Sequence, residues 1–403
     1  MESTKFKVYK YRWIMLIVYM LVIAANQLLW ITFAPITAAA TSYYGVSDLY
    51  IGILSMCFMI VYIVVSFPAS WIIDTYGIRV GVGIGAVLTG VFGLMRGLAG
   101  TDYTLLLVAQ IGIGIGQPFL LNAITKFAAR WFPIEERATA SGLGTLSMYI
   151  GILIAMILTP FLIQGKGING TLYIYGIVAM IAVVVFFIFA KERPITAPCR
   201  PDQEERSLVL DGLKSMFQNK NFYLLMFIFF IRLGVFNSVT TWIEDILKPR
   251  GFSATEAGIT GGLMILAGII GALIMPMLSD HYRKRIPFIV IAQIGTIIGL
   301  AGITFSNSYW ILLCSGAIMG FFLLSAGPIG FQYGAEITYP ASEGTSNGLL
   351  LFMGQISGIA FIFGMDGMKS LVTGSMTQPL IILLVLMFLS LIMSTQLKES
   401  KLI

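Results

Sequence analysis

Residues 336–350 read EITYPASEGTSNGLL, and residues 139–143 read TASGL. Thr139 and Thr345 lie 206 positions apart (345 less 139). The same offset relates Gly142 to Gly348, Gly114 to Gly320, Asp74 to Asp280 and Arg79 to Arg285. One fixed offset across five pairs marks a duplicated unit. In a chain built of membrane-spanning runs, such a duplication encloses a path where its halves meet. Solute transport is therefore the first functional expectation.

Composition carries the membrane assignment. The 403 residues are 58% apolar and only 11% charged, where a soluble domain holds about 25% charged residues. Most of the surface must then face lipid. Apolar runs of about 20 residues span a bilayer. They fall at 13–37, 48–71, 78–100, 103–126, 138–163, 171–190, 221–246, 253–278, 286–306, 309–335, 345–368 and 377–396. The first run follows a basic segment but is too long for a signal peptide and lacks a small-residue cleavage site. The fold class expected is an all-α membrane protein of twelve transmembrane helices in two pseudo-symmetric six-helix halves. The halves are 1–190 and 221–403, joined by a cytoplasmic linker, 191–220. In that linker Leu208, Val209, Leu213, Met216 and Phe217 have helical spacing and predict a short helix on the membrane surface.

Topology follows from Lys and Arg. Of the 25 basic residues, Arg96, Lys166, Lys248, Arg250 and Lys369 fall in outer segments, and Arg232 falls inside a span. The other 19 share a side with the N-terminus, which places both termini in the cytoplasm of a cell (inner) membrane protein. The net charge of +6 is a topology signal and gives no reason to expect nucleic acid. Cys57, Cys199 and Cys314 have no paired spacing, and the one histidine, His281, lies in a short turn, so neither disulfide nor metal is expected. No nucleophile–base pair or cofactor loop is present, so neither enzyme activity nor a cofactor is expected. The run QIGIGIGQP at 110–118 reads as helix packing, since a nucleotide loop needs a strand-turn context.

The turn PASWIIDTYGIR at 68–79 and its mate PMLSDHYRKR at 276–285 each set a basic residue five positions after an Asp. Asp74, Arg79, Asp280 and Arg285 are thus gating candidates that hold the cytoplasmic side shut. This pair resembles the loop signature of the major facilitator superfamily, with Ser70 and Pro276 in place of the leading glycine. The resemblance implies the major facilitator fold. A narrower resemblance runs through NQLLWI (26–31), YYGVS (43–47), LSMCFMIVYIVVSFPASWIIDTYGIR (54–79) and GFQYGAEITYPASEGTSNGLL (330–350). These segments resemble the feline leukaemia virus subgroup C receptor-related family. Its members are described as haem exporters or as facilitative transporters of choline and ethanolamine. The resemblance implies that Trp30, Gln117 and Gln355 contact substrate. It sets Asn237 where the family has a Tyr, which removes one aromatic wall from a cation–π cage.

Several polar residues inside the spans add to that set. Trp30 is either an interfacial-belt residue or part of the central path. Asn26, one turn earlier, needs a polar partner or cavity. Arg232 is the repeat mate of Asn26, and Phe236 that of Trp30, so Arg232 and Phe236 are expected on the same face as their mates. None of the 19 acidic residues lies near mid-membrane. Arg232 therefore either meets an anionic substrate group or bonds to helix amides. Two departures argue against drug–proton antiport. Gln110 stands where many proton-coupled members of the superfamily carry Arg, and Gly142, Gly144 and Gly151 lead to Thr159-Pro160 rather than Gly-Pro. With no mid-depth carboxylate or His, gradient-following transport is the simplest expectation.

The substrate expected is a small amphiphilic solute (an amine such as choline or ethanolamine, a zwitterion, or haem), carried by a monomeric facilitator in contact with membrane lipid. Export of organic anions or drugs is the alternative that Arg232 favours. A non-transporting receptor is the remaining one, weakened by the lack of a soluble signalling domain.

Overall fold

A computed structural model describes residues 8–196, 216, 219–339 and 343–400. Its elements are α1 (Tyr11–Ile31), a 3-10 turn (Ala34–Ile36), α2 (Thr37–Tyr44), α3 (Asp48–Tyr76), α4 (Ile78–Leu98), α5 (Tyr103–Leu121), α6 (Ile124–Trp131) and α7 (Ile134–Phe189). There follow α8 (Lys220–Thr241), α9 (Ile243–Leu247), a 3-10 turn (Lys248–Arg250), α10 (Ala254–Tyr282), α11 (Ile286–Phe305), α12 (Tyr309–Thr338), α13 (Glu343–Gly367) and α14 (Thr377–Thr395). No strand occurs among the described residues.

Eleven helical stretches among the described residues are long and apolar enough to cross a membrane. One of them is α7, whose 56 residues break at Gly167 (φ 66, ψ 176). A positive φ is cheap only for glycine, and the break separates the expected runs 138–163 and 171–190. Twelve spans therefore result, and the chain is an integral, multi-pass membrane protein. Large apolar side chains on the outside bear this out, such as Phe67 and Met277, about 70% exposed. Apart from Met216, the expected linker helix lies outside the described residues.

The duplication is visible in helix bounds. Advancing the ends of α3 by 206 positions turns 48 and 76 into 254 and 282, which are the ends of α10. The chain packs as two compact units. The first holds the chain up to Ile31, Ile60–Ala155 and the stretch from Leu162 onward through α7. Within it α4 lies against α5, and α1 against both. Their backbones come close at Gly85 and Gly116, where a Cβ on either would stand 2.8 Å from the other's carbonyl oxygen. The second unit holds Thr32–Met59, Met156–Phe161 and the second half of the chain. There α12 lies against α10 and α11, and α8 against α13. Phe222, Leu225 and Phe229 of α8 recur on one helical face and pack with Met275, Ile329, Tyr333 and Leu350.

The loop after α10 holds a local strain. Gly77 (φ 97) closes the turn after α3, and its mate 206 positions on is Arg283 (φ 50), the one described non-glycine residue at positive φ. The Arg283 side chain is exposed and makes no hydrogen bond or ion pair among the described residues. Left-handed backbone costs an L-residue roughly 1–2 kcal/mol. Arg283→Gly is therefore expected to stabilise the protein by about 1 kcal/mol. A melt of the detergent-solubilised protein reads this, and an unchanged or lowered midpoint speaks against the strain.

Candidate functional site

The candidates of the first unit sit on α1, α4 and α5. Asn26 is fully buried. Its Nδ2 donates to Thr89 Oγ1 at 3.0 Å and to the Ile113 carbonyl at 3.2 Å, and Gln27 donates to its Oδ1. This amide ties α1 to α4 and α5, the polar-partner half of what was expected of it. Trp30 follows one turn later and is 5% exposed. Gln117 on α5 is 7% exposed and makes no side-chain hydrogen bond among the described residues.

Arg96 corrects the sequence reading, which counted it with the outer-segment charges and left Arg232 as the one charge within a span. Arg96 lies in the last turn of α4 and is 0% exposed. Its Nη1 donates to the Leu29 carbonyl at 2.6 Å and to Gln110 Oε1 at 2.9 Å. Its position near the end of a run hid it; the apolar stretch on either side was the available signal.

In the second unit, Arg232 is also buried. Its Nη2 donates to the Leu323 carbonyl of α12, and its guanidinium lies 5.7 Å from the Phe229 ring centroid. Asn26 and Arg232 are repeat mates, and each donates from the first helix of its half to a backbone carbonyl on the fourth. Ile113 corresponds to position 319, so the longer arginine reaches one turn further, to Leu323. Arg232 thus has amide-backbone partners of the second kind anticipated for it. Phe236 and Asn237 are buried on the same helix, and Asn237 Nδ2 donates to the Gly354 carbonyl of α13 at 3.3 Å. Gln355 is half-buried and, like Gln117, makes no side-chain hydrogen bond among the described residues.

The loop charges pair differently in the two halves. Asp74 takes Lys126 of the neighbouring α6 at 2.6 Å. The backbone N–H groups of Ile78 and Arg79 donate to the Glu192 carboxylate at 3.0 and 2.7 Å, and Arg130 pairs with the same group. In the second half Arg285 pairs with Asp280 and with Glu336 of α12, the latter at 2.9 Å. The N–H groups of Arg285 and Ile286 donate to Glu399, each at 3.1 Å. In each half a carboxylate past the last helix thus caps the N-terminus of the third, where the helix dipole and free N–H groups favour an anion. Glu192 and Glu399, like Arg96, were missed by the sequence reading.

A second charged cluster joins segments from both halves of the chain within the second unit. Lys369, just past α13, meets Asp48 at the start of α3 and Asp245 of α9, the latter at 2.8 Å. Next to Asp245, Glu244 Oε2 accepts from the Ala38 N–H at 2.9 Å. Burial, partly offset by the Ala38 N–H and Lys248, pushes the Glu244 carboxyl up to about 7, with Asp245 and Asp48 adding repulsion. Burial also raises Asp245, against the pull of Lys369. No cluster of His, Cys, Asp or Glu suited to a metal ion occurs among the described residues.

The model of the Major Facilitator Superfamily matches residues 15–362. The chain belongs to the Major Facilitator Superfamily. Within this superfamily it is 30% identical over 379 residues to solute carrier family 49 member A3 of Xenopus tropicalis, covering 90% of this chain and 78% of that protein. It is 29% identical over 381 residues to the choline/ethanolamine transporter FLVCR2 of Rattus norvegicus, covering 89% and 70%. Among solved structures it is similar to a bacterial homologue of the human lysosomal transporter Spinster, with TM-score 0.75 and 15% identity over 97% of this chain and 98% of that one. It is likewise similar to the nucleoside transporter NupG, with TM-score 0.73 and 14% identity over 95% and 99%. These structures share the superfamily fold. The relatives thus carry the names of transporters, not of enzymes.

Proposed function

We propose that this chain is a facilitative transporter of a small organic amine of the choline or ethanolamine kind, working by alternating access as a monomer with both termini in the cytoplasm. Relatives named as choline/ethanolamine transporters cover most of the chain. The observation that carries the reading is Gln117, an amide 7% exposed in an apolar helix that makes no side-chain hydrogen bond among the described residues. With it we assign Trp30 and Gln355 to the substrate, and Phe236 and Asn237 to the second-half wall. Asn26 and Arg232 are assigned as straps between helices. The bond from Arg232 to the Leu323 carbonyl supports the strap assignment. Every Asp or Glu within a described helix lies in its first or last turn, or in the short α9. That placement supports transport without a proton carrier at mid-depth.

The test is choline binding and liposome uptake. Trp30→Leu keeps apolar volume but loses the aromatic face, a loss of about 2 kcal/mol for a desolvated ammonium, or about 30-fold in affinity. Gln117→Ala is expected to weaken binding as well. An imposed pH difference is expected to drive no accumulation. Unchanged choline transport in both variants at equal expression defeats the site assignment, and gradient-driven accumulation defeats the facilitator.

A further inference from the structure

We propose that Arg96 is a positioning residue for the substrate site, holding the Trp30 indole in place through the end of α1. The inference rests on the role assigned to Trp30 above. The carbonyls of Leu29 and Trp30 fall in the last turn of α1, where neighbouring helices can also donate to helix carbonyls. Arg96 Nη1 donates to that of Leu29 at 2.6 Å. The same nitrogen donates to Gln110 Oε1 at 2.9 Å, which fixes the amide the other way round. Gln110 Nε2 then points at the Leu29 and Trp30 carbonyls, at 3.3 and 3.4 Å.

Gly93 lets this happen. A Cβ there would stand 3.1 Å from Leu29 Cδ1, so α4 lies close enough to α1 for a side chain one turn on to reach the carbonyls. Arg96, Gln110 and the α1 end thus form one rigid corner. The indole of Trp30 hangs from that corner, so its angle follows from where the guanidinium holds the backbone. A guanidinium suits this task because its fork donates in fixed directions, whereas an ammonium on a flexible stem does not.

The test uses Arg96→Gln, Arg96→Lys and the swap Arg96→Gln/Gln110→Arg in the full chain, with choline as probe. Arg96→Lys keeps the charge but not the fork. Each single variant is expected to weaken choline binding about tenfold, on the order of one lost charge-assisted hydrogen bond. The swap returns a guanidinium and an amide to the same corner and is expected to bind within about twofold of wild type. A second readout is the 5-fluorotryptophan resonance that disappears in Trp30→Leu. It should shift in Arg96→Lys without ligand and return in the swap. Wild-type affinity in Arg96→Lys, an unmoved resonance, or loss of fold in both single variants overturns the proposal, the last by making Arg96 a folding residue. If Trp30→Leu itself binds choline normally, the substrate-site reading fails instead, and the resonance alone then decides whether Arg96 sets the indole.

Discussion

Lys369→Met is expected to open the cluster at Asp48, Asp245 and Glu244, and to do so more strongly than any other single substitution considered for this chain. Lys369 bridges Asp48, from the first half of the chain, to Asp245, from the second. Asp245 is 7% exposed at its side chain, so its carboxylate loses a buried partner, whereas Asp48 at 36% stays in reach of water. Removing one member of a buried pair costs about 3–5 kcal/mol, and the exposure of Lys369 and Asp48 sets the lower end, about 3 kcal/mol. Separation of residues 32–59 from the second half relieves that cost, because Asp245 then regains water. The readout is maleimide labelling of Ala40→Cys in a background without Cys57, Cys199 and Cys314. Ala40 is 0% exposed, so its labelling rate follows the open population. About 3 kcal/mol corresponds to a rise of about two decades. Adding Asp245→Asn removes the stranded charge and should return the rate most of the way. Equal labelling in wild type and Lys369→Met means that the cluster does not latch this end.

The halves, the twelve spans and the superfamily were legible because they rest on period and composition. A 206-residue offset survives in helix ends as well as in paired residues, as α3 and α10 show. Side-chain roles were less legible, because polar groups in lipid choose partners that are distant in sequence. Asn26 reads as an amide in need of a polar partner or a cavity until Thr89 and Ile113 are brought to it. Arg96 reads as a loop charge until α1 and α5 close around it. Asp74 and Arg79 read as gating charges from their spacing, but the partners come from far along the chain: a helix start at Ile78 offers its N–H groups to Glu192, and α6 offers Lys126 to Asp74. Gln117 keeps its sequence-based assignment as a proposal because nothing described in the chain competes for its amide.

Acidification is expected to close the Lys369 end, through Glu244. Its carboxyl is buried beside the Ala38 N–H and stands at about 7, against 4.5 for a free glutamate. Opening exposes it and returns it toward 4.5. Below about 4.5 the group is protonated in both states, so the full advantage of the closed state is present there. As pH rises through 7 the closed state must also release its proton, and the advantage is lost. The whole window amounts to about 3 kcal/mol, of which roughly 1.3 kcal/mol lies between pH 8 and pH 6. Ala40→Cys labelling, corrected for thiol ionisation with an exposed control cysteine, should therefore slow about tenfold over that interval. Asp245 acts in the same direction, since its carboxyl is raised as well, while Lys369, raised by Asp245 and Asp48 against its own burial, keeps its charge throughout. Asp48 and Lys248, the other charges acting on Glu244, have opposite signs and partly offset each other. His281, the chain's one histidine, lies just past Asp280 in the last turn of α10, at the other end of that helix from Ser253. Glu244→Gln keeps the acceptor for Ala38 but cannot titrate. It should favour the closed state across the range and make the profile shallower, leaving only the share that Asp245 contributes. A profile of the same slope in Glu244→Gln assigns the response to another group and removes Glu244 from the latch.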